Sequence, residues 1–340
     1  MLVIGITSRA LFDLDLSHDI FTKEGLESYR SFQISNENVP LKPGRAFPLV
    51  KKLLSLNNKI VGKRRVEVIL LSRNSSDTGL RIFNSIEHHN LDIRRAVFCS
   101  GGSPHSYAKS FGAHLFLSTE TSDCRSSIQN GVASARIFSS SVPSSSEDTL
   151  KVAFDGDSVI FSEDSQSIYD KHGIKAFERN EKNLAKFPLS GGPFKSFLFE
   201  LHKLQKKFTP SSCPIKIALV TARSAPSHER VIRTLRDWGI RIDECLFLGG
   251  LDKGSFLRVF DADIFFDDQI DSFSNILDLG SFEGDFARGI SQKYKSNIIS
   301  IEANPNLYRN LQPVENVTFI NKAIASENKK IDFFIGDNLE

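Results

Sequence analysis

Cysteine is scarce in this chain. Cys99, Cys124, Cys213 and Cys245 are the only four among 340 residues, and no two share the C-x-x-C spacing. That scatter argues against a zinc site or a disulfide framework and fits a reducing compartment. An excess of charge of one sign is also lacking. With 43 lysines and arginines against 41 aspartates and glutamates, nothing global points to nucleic acid or a membrane surface. Short basic runs such as Lys63-Arg64-Arg65 and Lys206-Lys207 read as solvated faces. No run approaches the roughly 18 apolar residues that span a bilayer. Met1-Leu2-Val3-Ile4-Gly5-Ile6 carries no basic segment ahead of it and is too short for a secretion signal, so it reads as a strand. The length predicts two or three domains, and the expected location is the cytoplasm.

Ser139 to Asp148 is rich in serine, holds one proline and shows no apolar periodicity, which marks a linker over 139–148. The blocks on either side resemble each other. At an offset of 149, Leu70-Leu71-Ser72-Arg73-Asn74 parallels Leu219-Val220-Thr221-Ala222-Arg223, and Arg81, Ile93, Phe98 and Gly101 parallel Arg230, Ile242, Phe247 and Gly250. Upstream, Phe12-Asp13-Leu14-Asp15 parallels Phe154-Asp155-Gly156-Asp157 at an offset of 142. The reading is a tandem duplication over 1–138 and 149–271, with strand–helix periodicity shared by chance as the alternative. Each copy alternates short β-rich runs with helical stretches, which predicts an α/β fold with parallel, Rossmann-like sheets covered on both faces. In the second copy, residues 215–220, 244–248 and 263–266 read as strands. Ser227 is expected to cap the helix bearing Val231, Leu235 and Trp238, and Gly239 to end it.

Ligands bind at the carboxyl ends of such strands, and four elements fall there. Asp155 and Asp157 follow the first strand of the second copy. A nucleophilic carboxylate with a second carboxyl as acid and base suits phosphoryl transfer, with a divalent cation screening both. Thr221 closes the second strand, Lys253 follows the Gly249-Gly250 turn, and Asp267 and Asp268 follow Ile264-Phe265-Phe266. Singly, Thr221 reads as a helix cap, Lys253 as surface and Asp267-Asp268 as a turn. In this order they suit a hydroxyl and a cation on the phosphoryl oxygens and an all-oxygen Mg²⁺ site of Asp155, the Asp157 carbonyl, Asp267 and Asp268.

That order resembles the haloacid dehalogenase-like phosphohydrolases. Six segments narrow it: Ala10-Leu11-Phe12-Asp13, Pro43-Gly44-Arg45-Ala46-Phe47-Pro48, Val152-Ala153-Phe154-Asp155-Gly156-Asp157, Gln205-Lys206-Lys207-Phe208, Thr221-Ala222-Arg223-Ser224-Ala225 and Ile264-Phe265-Phe266-Asp267-Asp268-Gln269. Over residues 5 to 270 the chain resembles the cytosolic 5′-nucleotidase type I family. The resemblance implies Mg²⁺-dependent hydrolysis of nucleoside 5′-monophosphates, with AMP as the expected substrate. Asp155 would form an aspartyl-phosphate and Asp157 would serve as acid and then base. Thr221 and Lys253 would hold the phosphoryl oxygens, with Arg223, Ser224 and Asn74 as substrate contacts. In the first copy Pro104 stands for Lys253, and Ser118 and Thr119 for the metal carboxylates. A degenerate half that supports the fold is therefore expected, with Arg73, Asn74 and the loop 100–103 as binding elements for a nucleoside or a nucleotide effector, and pure scaffolding as the alternative. Self-association is left open. Another phosphomonoester as substrate, or a non-catalytic nucleotide-binding fusion product, are the alternatives.

After Gln269 the pattern is expected to change. A strand at 276–279, the Gly280 loop and Glu302 at the end of the next strand, 24 residues beyond Asp278, suit a nucleoside-bearing cofactor. Residues 275–340 resemble the start of FkbM-type S-adenosylmethionine-dependent methyltransferases, with later strands at 317–320 and 331–334. The resemblance makes Asp278, Gly280 and Glu302 vestigial cofactor contacts. The segment is too short for a methyltransferase domain, so neither methyl transfer nor S-adenosylmethionine binding is expected.

Overall fold

The N-terminal apolar run forms β1 (Leu2–Ile6), buried at every position. Burial on both faces is what a parallel sheet imposes on its central strands. A computed structural model of the chain describes residues 1–60, 62, 64–137, 148–268, 275–279, 297–302, 304–313 and 317–321. β1 pairs with β2 (Val66–Ser72), also buried throughout, and β3 (Arg95–Phe98), β4 (Leu115–Ser118) and β5 (Ser134–Arg136) complete a parallel sheet ordered β3-β2-β1-β4-β5. A second parallel sheet holds β6 (Leu150–Phe154), β7 (Ile215–Thr221), β8 (Glu244–Phe247) and β9 (Ile264–Phe266) in the order β8-β7-β6-β9. The strands expected at 215–220, 244–248 and 263–266 thus form within a residue or two of their expected ends.

Both sheets lie in one compact unit, Met1–Leu251 with Leu257–Phe266. Its core is continuous: Ile4, Leu53 and Leu56 belong to the same buried cluster as Val152, Phe154 and Leu198. The helix Phe47–Lys59 packs on β6, and the helix Lys195–Gln205 packs on β1. Lys52, on the first of these helices, donates to Asp263 at 2.6 Å and to the Thr149 carbonyl at 3.2 Å.

The two sheets share an order and a spacing. β2 and β7, and β3 and β8, have the same bounds at the offset of 149. Each first strand is followed by a helical hairpin that turns at a glycine. Gly25 (φ +87°) separates the helices Asp15–Glu24 and Leu26–Ser35, and Gly173 (φ +75°) interrupts the helix Asp164–Asn183. Only glycine takes that backbone without strain. Each hairpin carries an edge-on aromatic pair, Phe21–Tyr29 at 6.0 Å and 82° and Tyr169–Phe177 at 6.2 Å and 88°.

One expected correspondence fails. β1 ends at Ile6 as β6 ends at Phe154, so Thr7, not Asp13, occupies the place of Asp155. Thr7 donates its N–H to the Leu117 carbonyl at 3.0 Å, and Asp155 donates its own to Phe266 at 2.8 Å. The short helix Ser8–Leu11 carries the chain away from the strand end before Asp13 is reached. Asp13 is exposed, and its Oδ1 accepts the Asp15 N–H at 3.1 Å, a turn device at a helix start. Ser227 also departs from expectation: its hydroxyl donates to the Ser224 carbonyl at 2.7 Å and does not cap the helix His228–Asp237. Gly239 (φ +63°) does end that helix.

The second unit comprises Asp252–Phe256 and Asp267–Glu340. Its strands β10 (Asn275–Leu279), β11 (Asn297–Glu302) and β12 (Val317–Asn321) form a parallel sheet in that order, where the sequence places strands. Gly280, residues 331–334 and the linker residues 139–147 lie outside the described residues, as do the side chains of Asp278 and Glu302. Among the described residues no helix is long and apolar enough to cross a membrane.

Candidate active site

Asp155 is the first residue after β6, and it is 7% exposed. Its Oδ1 accepts the N–H of Gly156 at 2.7 Å, which fixes the carboxylate at the rim of the sheet. The turn that follows passes through Ser158 in the left-handed region (φ +61°) and closes with the Phe161 N–H on the Gly156 carbonyl at 2.9 Å. Gly156 abuts Thr221, since a Cβ there would stand 3.1 Å from the Thr221 hydroxyl. Gly192 seals the turn from outside. A Cβ at that position would meet the carbonyl oxygens of Phe161 and Val159 at 2.3 and 2.5 Å.

Asp157 points to Arg223. Nε donates to Oδ2 at 2.8 Å and Nη2 to Oδ1 at 2.6 Å, the bidentate geometry that guanidinium and carboxylate favour. The remaining face of Arg223 donates to Glu181 at 2.5 Å, and Arg230 donates to the other Glu181 oxygen at 2.8 Å. Burial alone would lower the Arg223 guanidinium, but Asp157 and Glu181 outweigh it and hold the group above its ordinary value. Burial alone would likewise raise the Glu181 carboxyl, but Arg223 and Arg230 hold it below its ordinary value. Arg223, expected at the substrate, therefore ties the strand-end turn to the helical hairpin that carries Glu181.

Thr221 closes β7 with 1% exposure, and its hydroxyl accepts the Arg223 N–H at 3.3 Å. Ser224 is exposed, with its hydroxyl donating weakly to the Ala225 carbonyl at 3.4 Å. Asn74 lies at the strand ends of the other sheet. Its N–H donates to the Ser72 hydroxyl at 3.1 Å, as Arg223 does to Thr221.

Within the second unit, Lys253 Nζ donates to Asp267 Oδ2 at 3.1 Å. Asp268 keeps a solvent-facing side, yet desolvation and the neighbouring charge of Asp267 push its carboxyl up to about 6. Two crowded carboxylates with oxygen ligands suit a hard divalent cation. Along the chain Asp267 directly follows Phe266, the partner of Phe154 in the β6–β9 register.

The order along the chain did not reveal Glu181 and Arg230. Arg230 carried a trace, its correspondence with Arg81 at the offset of 149. Glu181 had none, because a glutamate on a polar helix reads as solvated, whereas here it is wholly buried.

A 5′-nucleotidase family model matches residues 1–278. The match continues past Gln269, where the sequence reading expects the nucleotidase pattern to stop, and it takes in Asn275 to Asp278. Human cytosolic 5′-nucleotidase 1B is 38% identical over 306 residues, covering 87% of this chain and 50% of that protein. The chain thus spans about half the length of that curated relative. A crystal structure of histidinol dehydrogenase from Elizabethkingia anophelis aligns over 91% of this chain and 75% of its own, at 10% identity and a TM-score of 0.16, too slight a likeness to bear on the fold. These matches lend the methyltransferase-like reading of 275–340 no support. From residue 1 to residue 278, across both sheets, this chain belongs to the 5′-nucleotidase family.

Proposed function

We propose that the chain hydrolyses nucleoside 5′-monophosphates, AMP among them, to nucleoside and phosphate. The observation that carries this reading is the β6–β9 register. Phe154 and Phe266 are paired at the ends of their strands, and along the chain each is followed by an aspartate, Asp155 and Asp267. Asp155 is nine-tenths buried and pinned by Gly156, a nucleophile fixed in direction.

In this reading an Asp155 carboxylate oxygen attacks phosphorus, and the bond from phosphorus to the nucleoside 5′-oxygen breaks. Asp157 gives the departing oxygen its proton. Water then attacks the aspartyl-phosphate, Asp157 takes the water proton, and the bond to Asp155 breaks to release phosphate. For this Asp157 turns from Arg223 toward the leaving oxygen, while Glu181 and Arg230 keep the guanidinium in place. Thr221, against Gly156, holds a phosphoryl oxygen, and Lys253 neutralises phosphoryl charge. Asp155, the Asp157 carbonyl, Asp267 and Asp268 would hold Mg²⁺, which supplies charge screening between phosphate and carboxylates when bound.

We also read residues 1–138 and 149–271 as duplicated halves, of which only the second carries the chemistry. The shared strand order, the hairpin glycines and the matched aromatic pairs support this. Thr7 in the place of Asp155 gives the first half a hydroxyl where attack needs a carboxylate. Phosphate release from AMP with Mg²⁺, beside Asp155→Asn, tests the reading. No release by the wild type sinks it, and a panel of other phosphomonoesters fixes the substrate class.

A further inference from the structure

The first half has a cavity of its own at the carboxyl ends of its strands, with a volume of about 950 Å³. That is within the range of small-molecule sites. Three of its lining residues, Thr7, Asn74 and Asp123, each carry a buried polar atom with no hydrogen-bond partner among the described residues: Thr7 Oγ1, Asn74 Nδ2 and Asp123 Oδ2. Thr7 is 8% exposed and Asp123 1%. Buried polar groups in folded proteins are nearly always satisfied, so three unsatisfied atoms on residues that line one cavity point to a ligand toward which these side chains turn.

The three atoms also define that ligand. A hydroxyl, an amide N–H and a carboxylate oxygen call for a partner with donors and acceptors together. An anion is poorly served. Asp123 offers it a negative charge, and the arginines of the wall are already engaged. Arg73 is paired with Asp123, Arg30 with Asp77 at 2.6 Å, and Arg9 with Asp15 and Glu120 at 3.4 Å. Apolar and aromatic side chains line the cavity as well. Phe21, 47% exposed, and Tyr29 stand edge to face on the hairpin with Leu14 and Leu26 beside them. The Tyr29 hydroxyl donates to Asn74 Oδ1 at 3.0 Å, which turns the amide so that its unsatisfied N–H remains for another partner.

We propose that this cavity binds an uncharged nucleoside, with the flat base against Phe21 and Tyr29 and the sugar hydroxyls and base edge on Thr7, Asn74 and Asp123. The site lies wholly in the first half and stands or falls apart from hydrolysis at Asp155. An uncharged nucleoside carries no phosphoryl group, so this site binds without turning over.

Calorimetric titration of the full chain with adenosine, in EDTA, tests this. Thr7→Val, Asn74→Ala and Phe21→Ala should each weaken binding by about tenfold, the loss of one good contact. Thr221→Val, in the second half, should leave it unchanged. Phe21 is exposed, so its variant folds even where Thr7→Val or Asn74→Ala does not. Circular dichroism checks each variant. AMP should bind this site more weakly than adenosine. Absence of adenosine binding at millimolar concentration overturns the proposal. So does binding that survives all three substitutions, binding lost in Thr221→Val, or AMP binding that depends on Thr7 and Asn74 and is as tight as adenosine binding.

Discussion

Arg223 and Asp157 meet fork to fork, with Nε and Nη2 at 2.8 and 2.6 Å from the two carboxylate oxygens. Lysine would keep the charge and lose the fork. We expect Arg223→Lys to lower kcat for AMP by about 100-fold through misplacement of Asp157, with KM little changed. Arg223→Met removes one of the two cations on the wholly buried Glu181 and should cost about 3 kcal/mol in urea unfolding. Full activity in Arg223→Lys would show that the pair does not position the acid.

Asp155→Asn should abolish phosphate release and leave the melting midpoint nearly unchanged, since an amide oxygen can still accept the Gly156 N–H. Asp13→Asn, altering the other D-x-D, should retain turnover within about twofold, as expected of a surface change. Asp13 is exposed and serves a helix start. Loss of phosphate release in Asp13→Asn would restore the correspondence that the strand ends reject.

Gly192→Ala forces a methyl group against two backbone carbonyls of the turn that follows Asp155. Backbone cannot swing aside as a side chain does. We predict a loss of about 1–3 kcal/mol and a fall in kcat as the turn carrying Asp157 is displaced. Thermal unfolding and AMP turnover measured on the same preparation would show both, and a variant as stable as the wild type would refute the contact.

Burial pushes His202 below its ordinary value, and its Nδ1 accepts the Arg241 N–H at 3.2 Å, which requires a ring without a proton there. The unfolded chain takes up the proton more readily than the folded one. Stability from the neutral ring is therefore complete above the ordinary histidine value of about 6.5 and is lost as pH falls from there toward the folded-state value. The urea midpoint should drop between about pH 7.5 and 5.5, and His202→Asn should drop less. An equal fall in both proteins would assign the pH dependence to other groups.

The β-rich runs at 215–220 and 244–248 were legible because apolar, β-branched segments bounded by glycines and polar turns have few other ways to bury their surface. The D-x-D after β6 was legible for the same reason, as a polar pair standing where a buried strand ends. Glu181 was not, since nothing in a polar helical stretch tells which carboxylate faces inward. The twin of Asp155 was misassigned because matching D-x-D letters outweighed strand phase, and only the β1 and β6 ladders show that Thr7 is its counterpart.

The sequence by itself determined the alternation of strands and helices, the candidate carboxylates and their order, because local periodicity and strand-end polarity are properties of neighbouring residues. Tertiary structure decided what Arg223 grips, which of the two D-x-D pairs follows a strand, and that Thr7, Asn74 and Asp123 share one cavity. Those relations join residues 49 to 116 positions apart or turn on hydrogen-bonded register, and only the pairing of strands and the closing of the hairpins bring such residues together.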